Sequence, residues 1–214
     1  MDEFYSVSNE LSTYAEQHTS EQSALLKKLE RDTYLKQLNP RMVAGHLQGQ
    51  LLKMISLMIR PNRILEIGTF TGYSAICLAA GLQPDGQLHT IEIEKELRTT
   101  TQSWFDQSPY KNQIQLHIGD AMEIIPTLNE SFDLVFIDAK KQMYAAYFDL
   151  LIDKVKSGGF ILTDNVLWNG KVLEEKMDKD TKNLDLFNKK VHQDKRVENI
   201  LVPIRDGILI MRKL

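Results

Sequence analysis

The sequence predicts an α/β fold with an open, mostly parallel β-sheet and helices on both of its faces. From Arg63 onward, short apolar segments typical of buried strands alternate with helix-like segments, which indicates parallel strands joined by helical crossovers. Near the C-terminus, two apolar runs flank Arg205-Asp206-Gly207, and an Asp-Gly pair between strand-like runs indicates an antiparallel hairpin. We therefore expect one reversed strand near the C-terminal edge of the sheet.

Five strands are predicted in the parallel part of the sheet, with four helices between them. The strands are RILEI, QLHTIEI, IQLHI, FDLVFID and GFILTD, and the helices are Tyr73–Ala80, Lys95–Asp106, Ala121–Leu128 and Met143–Val155. Residues 1–58 show helical periodicity and form a predicted N-terminal arm or cap, in which Asn39-Pro40 marks a helix start because proline is favoured in the first turn. We expect one domain over residues 1–214, with the α/β core at 59–214.

Composition narrows the class of protein. The 214 residues are 43% hydrophobic and 26% charged, which is typical of an ordinary globular domain. The net charge of −3 gives no electrostatic reason to expect strong nonspecific nucleic-acid binding. The single cysteine, Cys77, excludes an internal disulfide and a Cys-based zinc site. Because no apolar run approaches the ~18 residues of a membrane span and the N-terminal segment is acidic and polar, we expect a cytoplasmic protein without membrane association.

The turn after the first strand contains two glycines, Gly68 and Gly72. In open parallel sheets, ligands bind outside the carboxyl ends of the strands. Glycine there permits a tight turn and a close backbone approach to a ligand. The spacing GxxxG differs from the dinucleotide fingerprint GxGxxG, which argues against NAD or FAD. A purely structural turn is the alternative.

Two acidic residues follow the next two strands. Glu92 ends the second strand, where a carboxylate can accept hydrogen bonds from a ribose, although a solvated strand end would look the same. Asp120 follows the third strand, where it can cap the next helix or reach an adenine amino group. For the aspartate alone, capping is the preferred interpretation.

The fourth and fifth strands end on oxygen-bearing side chains. Asp138 ends the fourth strand, and Asp164 and Asn165 end the fifth. The two strand ends are expected to be neighbours, so the three side chains should converge, and their oxygens suit a hard divalent cation such as Mg²⁺. No histidines form an HxxxH pair, which argues against zinc. An Asx-type turn is the alternative for Asp164-Asn165.

The ordered set of motifs resembles the class I, S-adenosylmethionine-dependent and metal-dependent O-methyltransferases, and more closely the bacterial members of the caffeoyl-CoA and catechol O-methyltransferase family. The motifs are LEIGTFTGYSA (65–75), IEIEKE (91–96), GDAMEIIP (119–126), FDLVFIDAKK (132–141), GGFILTDNVLWNGKV (158–172) and DGILIMRK (206–213). The resemblance covers the chain from about residue 40 to its end. It implies a Rossmann-like fold, a methyl transfer to a hydroxyl group and a homodimer.

The resemblance also implies roles for individual residues. The methionine and ribose part of the cofactor site would be lined by Glu66, Gly68, Thr69 and Ser74. The remaining cofactor contacts would come from Glu92 at the ribose, Asp120 and Ala121 at the adenine, Val43 as a cover, and Asp138 beside the cofactor. Mg²⁺, or Ca²⁺ or Mn²⁺ in the same site, would be held by Asp138, Asp164 and Asn165, while Lys141 would deprotonate the acceptor.

The motifs leave more than one methyl acceptor in consideration. Plant caffeoyl-CoA enzymes usually have DADK, whereas here Lys140 replaces the second aspartate, which makes a phenolic-CoA substrate less expected. We expect a small catechol-like acceptor. The alternatives are tRNA carrying 5-hydroxyuridine at the wobble position, and a noncatalytic protein that binds S-adenosylmethionine. Candidate phosphate contacts for tRNA are Lys27-Lys28, Lys189-Lys190 and Lys195-Arg196.

Overall fold

A computed structural model describes residues 9–214, which form a seven-stranded sheet of order β3-β2-β1-β4-β5-β7-β6. The strands are β1 (Arg63–Ile67), β2 (Gln87–Glu92), β3 (Ile114–Ile118), β4 (Phe132–Ile137), β5 (Val155–Asp164), β6 (Val197–Val202) and β7 (Ile208–Lys213). Strands β1 to β5 pair in parallel, and β7 is antiparallel to both β5 and β6. The predicted fold class is confirmed, and the reversed strand lies one position in from the edge.

Helices surround the sheet and precede it. The helices are α1 (Asn9–Gln17), α2 (Ala24–Lys36), α3 (Gly45–Ile59), α4 (Tyr73–Ala79), α5 (Arg98–Gln107), α6 (Ala121–Thr127), α7 (Tyr144–Leu151) and α8 (Lys179–Gln193). Before β1, the described part of the chain contains helices and turns, as predicted, and residues 1–8 lie outside the described residues. The division into an arm at 1–58 and a core at 59–214 stays a prediction. Across residues 9–214, no helix has the length and apolarity needed to cross a membrane.

Several predicted helix boundaries were wrong. Pro40 begins a 3-10 turn that ends at Met42, and α3 begins only at Gly45 because Val43 is extended at φ −66 and ψ 136. The predicted helices that begin at Lys95 and Met143 are also shortened by 3-10 turns. The helix predicted to reach Val155 ends at Leu151, because Val155 already pairs with β4 as the first residue of β5.

Helix α8 is not among the predicted elements. Its sequence is polar overall, but its buried residues Thr181, Leu184, Phe187 and Val191 follow the helical period. Asp178 caps the helix, since its side chain accepts a hydrogen bond from the backbone N–H of Thr181 at 2.8 Å. The sequence therefore contained both the periodicity and the capping residue of this helix.

The sheet is covered on both faces. Val135 and Ile137 of β4 point into the cluster formed with α6, α7 and α8, whereas Leu134 and Phe136 point into the cluster formed with α2, α3, α4 and α5. Because both faces of β4 are buried, the strand is an uninterrupted apolar run rather than an alternating one. The N-terminal helices α2 and α3 therefore complete the core on one face.

A chain of hydrogen bonds connects two histidines on neighbouring strands. The ring nitrogens Nδ1 of His89 and Nε2 of His117 lie 2.9 Å apart, and Nε2 of His89 lies 3.1 Å from Glu130. Arg63 also pairs with Glu130 at 3.1 Å. Burial lowers the pKa of His89, against the opposing effect of Glu130, and burial together with His89 lowers the pKa of His117. Both imidazoles therefore favour their neutral form in the folded state.

We predict that His89 and His117 make a contribution to the free energy of unfolding that decreases as the pH falls below the ordinary histidine pKa of 6.5. The unfolded chain then binds protons that the folded chain resists, so protonation favours unfolding. Urea denaturation between pH 7.5 and 5.5, conditions chosen to bracket a pKa of about 6.5, measures the effect. His117→Gln should flatten this pH dependence, whereas His192→Gln on the exposed end of α8 should not. Equal slopes for the two variants would contradict the prediction.

Candidate active site

The carboxyl ends of four adjacent strands meet in register. Across β2, β1, β4 and β5 the paired residues are Ile91, Ile67, Ile137 and Thr163. The residue that follows each of them is a predicted site residue, namely Glu92, Gly68, Asp138 and Asp164. Strand pairing therefore brings together side chains that are far apart in the sequence.

Gly68 brings the loops after β1 and β4 into backbone contact. Its φ is 100°, and a Cβ built on it would lie 1.8 Å from the carbonyl oxygen of Asp138. The amide of Asp138 donates to the carbonyl oxygen of Ile67 at 2.9 Å, which continues the pairing of β1 and β4 into the loops. Only glycine fits at position 68, so this glycine has a structural role that does not depend on any ligand.

Glu66 is a fully buried carboxylate with one unused acceptor. Thr90 donates its hydroxyl to Oε2 of Glu66 at 2.5 Å, and the hydroxyls of Thr90 and Thr69 lie 2.5 Å apart. Oε1 of Glu66 has no hydrogen-bond partner among the described residues. Burial raises the pKa of Glu66 to about 8 despite the opposing hydroxyls of Ser74 and Thr90. A ligand with a hydrogen-bond donor would satisfy the free oxygen, so the residues here fit a cofactor with such a group.

Glu92 organises the loop after β1. Its Oε2 accepts the backbone N–H of Phe70 at 2.6 Å, and its Oε1 accepts that of Glu94 at 2.9 Å. Burial raises the pKa of Glu92, and these backbone donors oppose the shift. Each carboxylate oxygen retains a second lone pair, so the carboxylate can still accept ligand hydroxyls.

The remaining predicted cofactor residues lie at helix starts. Asp120 caps α6, since its side chain accepts the backbone N–H of Met122 at 2.8 Å, which agrees with the capping interpretation. Ala121 is the buried first residue of α6, and Ser74 is buried in the first turn of α4. Val43 is 4% exposed and lies just before α3. These positions agree with a cofactor bound along the strand ends, although no contact among the described residues assigns their roles.

Lys141 contacts two of the three predicted metal ligands. Its Nζ donates to Oδ1 of Asp138 at 2.9 Å, to Oδ1 of Asn165 at 2.8 Å and to the hydroxyl of Tyr144 at 2.9 Å. The side chain is 13% exposed, whereas the neighbouring Lys140 is an exposed residue. Two of the three predicted ligand oxygens therefore already converge on a cationic group.

Asp164 is the buried member of the set. Its Oδ2 accepts from Nε2 of Gln48 at 2.5 Å, and its Oδ1 accepts the backbone N–H of Asn165 at 2.8 Å. Burial raises the pKa of Asp164 to about 6, and the negative charge of Asp138 adds to the shift. Two carboxylates near each other in a partly buried site are stabilised by additional positive charge.

The donor atoms of the set fit a hard divalent cation. Carboxylate and amide oxygens are the ligands that Mg²⁺, Ca²⁺ and Mn²⁺ prefer. Among residues 9–214, no three His, Cys, Asp or Glu side chains form a group that could hold a metal ion. The fit therefore depends on the amide oxygen of Asn165 as the third donor, beside Asp138 and Asp164.

Two residues that contact this set, Tyr144 and Gln48, were not predicted, and neither were Arg205 and Asp206, which lie behind it. The hydroxyl of Tyr144 donates to the backbone carbonyl of Asp164 at 3.0 Å, and its position three residues after Lys141 was a usable signal. Gln48 contacts Asp164, and Arg205 contacts Gln48. Gln48 and Arg205 are 157 residues apart, and no pattern in the sequence indicates a contact over that separation. Asp206 accepts the backbone N–H of Asn169 at 2.5 Å, which anchors the loop that carries Trp168.

The chain is similar in sequence to known O-methyltransferases. Residues 16–214 match the family model described as O-methyltransferase. The chain is 31% identical over 180 residues to a caffeoyl-CoA O-methyltransferase of Stellaria longipes, covering 78% of this chain and 75% of that protein. It is 36% identical over 132 residues to a catechol O-methyltransferase of Niastella koreensis, covering 60% of each chain.

Solved structures show the same fold. The O-methyltransferase TomG of Streptomyces achromogenes, in complex with S-adenosylmethionine, has a TM-score of 0.86 and 28% identity, with 96% of each chain covered. The methyltransferase PaMTH1 of Podospora anserina, bound to S-adenosylhomocysteine, has a TM-score of 0.90 and 24% identity, with 100% of each chain covered. Because PaMTH1 is only 24% identical to this chain, the similarity supports a shared fold and nothing further.

We predict that Gly68→Ala lowers the free energy of unfolding by about 3 kcal/mol, the upper end of the range for overpacking, because its Cβ would collide with the backbone of Asp138. Gly170→Ala is the matched control. Gly170 also has a positive φ, 77°, but nothing lies within 4 Å of its Cβ position. The control should lose only about 1 kcal/mol from backbone strain. Urea denaturation of both variants measures the difference, and equal losses would show that the close contact is unimportant.

Proposed function

The chain belongs to the O-methyltransferase family and is an S-adenosylmethionine-dependent O-methyltransferase, and we propose that its acceptor is a small catechol-like molecule and that Mg²⁺ assists the transfer. The observation that carries the proposal is the position of Lys141, whose Nζ lies 2.9 Å from Asp138 and 2.8 Å from Asn165. This position supports the proposal, because the candidate base lies beside two candidate ligand oxygens at the carboxyl ends of the strands.

S-adenosylmethionine supplies the electrophilic methyl group on its sulfonium. We assign its methionine and ribose part to Glu66, Gly68, Thr69 and Ser74, because Glu66 has an unused buried acceptor at the end of β1. The other assignments are Glu92 at the ribose, Asp120 and Ala121 at the adenine, Val43 as a cover, and Asp138 beside the cofactor. The buried carboxylates would accept hydrogen bonds from the cofactor and hold it against the strand ends.

The divalent metal supplies positive charge that favours the ionised form of the acceptor hydroxyl. Asp138, Asp164 and Asn165 would hold Mg²⁺, with Ca²⁺ or Mn²⁺ as substitutes in the same site. An acceptor with two adjacent hydroxyls suits these three ligands, because both of its oxygens could approach the same cation. The catechol O-methyltransferase of Niastella koreensis is a relative of this chain, which supports the acceptor class.

Lys141 acts as the general base in this proposal. Its amine must be neutral to accept the acceptor proton at Nζ, and a cation held by Asp138 and Asn165 would replace Nζ as the partner of their oxygens. The hydroxyl of Tyr144 accepts a hydrogen bond from Nζ at 2.9 Å, which keeps Nζ at the carboxyl ends of the strands. The ring of Trp168 has its centroid 5.9 Å from Nζ and offers an aromatic wall for a flat acceptor. Much of the acceleration would come from alignment of the two reactants.

The tRNA alternative is less well supported by the surface. Among its candidate phosphate contacts, Lys27 pairs with Glu21 at 2.6 Å, and Lys189 pairs with Asp185 at 2.7 Å. Two further pairs are Lys190 with Asp149 and Arg196 with Asp194. Carboxylates beside these side chains offset their positive charge, which weakens the attraction for a phosphate backbone. The homodimer and the cytoplasmic location stay predictions.

We predict methyl transfer from S-adenosylmethionine to a catechol by the purified protein, and its loss after metal removal with EDTA. Mg²⁺ should restore activity to the wild-type protein but not to Asp164→Ala. Transcripts bearing 5-hydroxyuridine, assayed in parallel by mass spectrometry, test the alternative acceptor. Full activity in EDTA would refute the role of the metal, and transfer to tRNA alone would replace the catechol proposal. Cofactor binding without transfer to either acceptor would favour the noncatalytic alternative.

We predict that Lys141→Ala lowers kcat for the catechol by a factor of about 10²–10⁴, the usual contribution of a positioned proton acceptor. Metal affinity should not weaken, because the ammonium competes with a metal for the oxygens of Asp138 and Asn165. Raising the pH should partly restore activity, since the hydroxyl then ionises without help. Lys140→Ala is the matched control, because Lys140 is exposed. A large loss of kcat in Lys140→Ala, together with a near-normal kcat in Lys141→Ala, would require a different base.

A further inference from the structure

We infer that Gln48 and Arg205 are positioning residues for Asp164, and that they connect the turn between β6 and β7 to the site at the end of β5. The inference rests on the proposed function, because Asp164 is a proposed metal ligand. Gln48 comes from α3, Arg205 from the C-terminal hairpin and Asp164 from the central sheet. Three distant parts of the chain therefore meet through side-chain hydrogen bonds.

Gln48 is oriented by both of its neighbours. It is 3% exposed, its Nε2 donates to Oδ2 of Asp164 at 2.5 Å, and its Oε1 accepts from Nη1 of Arg205 at 2.7 Å. A guanidinium can only donate hydrogen bonds and an ionised carboxylate can only accept them. Both neighbours therefore select the same orientation of the amide, with its oxygen towards Arg205 and its NH₂ group towards Asp164.

This arrangement holds the carboxylate of Asp164 in one rotamer. Gln48 binds Oδ2 while the backbone N–H of Asn165 binds Oδ1 at 2.8 Å, so both oxygens are tethered before any ligand arrives. Each oxygen keeps a further lone pair for a cation. A ligand that is already oriented loses less freedom on binding, and partners behind metal ligands commonly contribute to metal affinity in this way.

Arg205 is held in an unfavourable backbone conformation. Its φ is 50°, in the left-handed region that favours glycine. Its guanidinium donates both to Gln48 and to the carbonyl oxygen of Ala44, the residue before α3. A strained residue persists where its surroundings specify it, and here the specific contacts lead directly to Asp164. A glycine at this position would relieve the strain but could not orient Gln48.

The test is the affinity for Mn²⁺, measured by calorimetry in the presence of S-adenosylhomocysteine. Gln48→Met has a similar length but cannot form either hydrogen bond, so it should weaken Mn²⁺ binding by about 10–100-fold. Affinity for S-adenosylhomocysteine should stay close to wild type, whereas the thermal midpoint should fall, because the buried carboxylate of Asp164 loses a hydrogen-bond partner. The matched control is Gln102→Met, because Gln102 on α5 also donates to a carboxylate, Asp106, at 2.9 Å but on the exposed surface.

Arg205→Gly separates positioning from stability. The thermal midpoint should equal or exceed that of the wild type, because glycine adopts this φ without strain. Mn²⁺ affinity should nevertheless fall, by no more than in Gln48→Met, and Arg205→Lys should restore part of it. Arg212→Ala is the control, since Arg212 pairs with the exposed Glu198 at 2.7 Å in the same hairpin. If Gln48→Met fails to fold, Arg205→Gly decides the question.

The outcomes distinguish this inference from the proposed function. If the wild type binds Mn²⁺ and both Gln48→Met and Arg205→Gly bind it equally tightly, the inference is wrong and the proposed metal site stands. If the wild type binds no Mn²⁺, the proposed metal site fails and the inference fails with it. Weaker Mn²⁺ binding in Arg205→Gly at an unchanged thermal midpoint supports the inference.

Discussion

The pairing of β1 with β4 is the constraint on which the site depends. The strand order reverses between these two strands, so the chain leaves β1 for α4 on one face of the sheet and leaves β4 for α7 on the other. Such a reversal opens a crevice at the carboxyl ends of the strands. Gly68 and Asp138 meet backbone to backbone at its base. The proposed cofactor residues and the proposed metal ligands are therefore neighbours because of strand order.

Buried carboxylates are the main energetic feature of the crevice. Burial raises the pKa of both Glu66 and Asp164, so each carboxyl group favours its neutral form more than it would in water. Lys141 supplies one positive charge next to Asp138. The unpartnered oxygen of Glu66 and the paired oxygens of Asp138 and Asn165 are the features on which the proposed cofactor and metal sites rest.

The elements outside the parallel sheet have a structural part in the same site. Helix α3 contributes Gln48, and the turn between β6 and β7 contributes Arg205 and Asp206. Arg205 contacts the N-terminal helices through Gln48 and Ala44, while Asp206 anchors the loop after β5 at Asn169. The C-terminal hairpin is thus hydrogen-bonded both to the N-terminal helices and to the loop after β5. Helix α3 therefore contacts the site through Gln48 as well as covering the core.

The sequence by itself determined the sheet, its reversed strand and the identity of the residues at the strand ends, because strand periodicity, turn glycines and terminal carboxylates are local patterns. The resemblance to the family also selected Lys141 rather than Lys140 as the candidate base, and that role stays a prediction. Only the tertiary structure decided that Lys141 contacts Asp138 and Asn165 together and that Gln48 joins Arg205 to Asp164. Those contacts depend on strand register and on the packing of α3 against the sheet, and hydrogen bonds between distant residues leave no periodic trace in a single sequence.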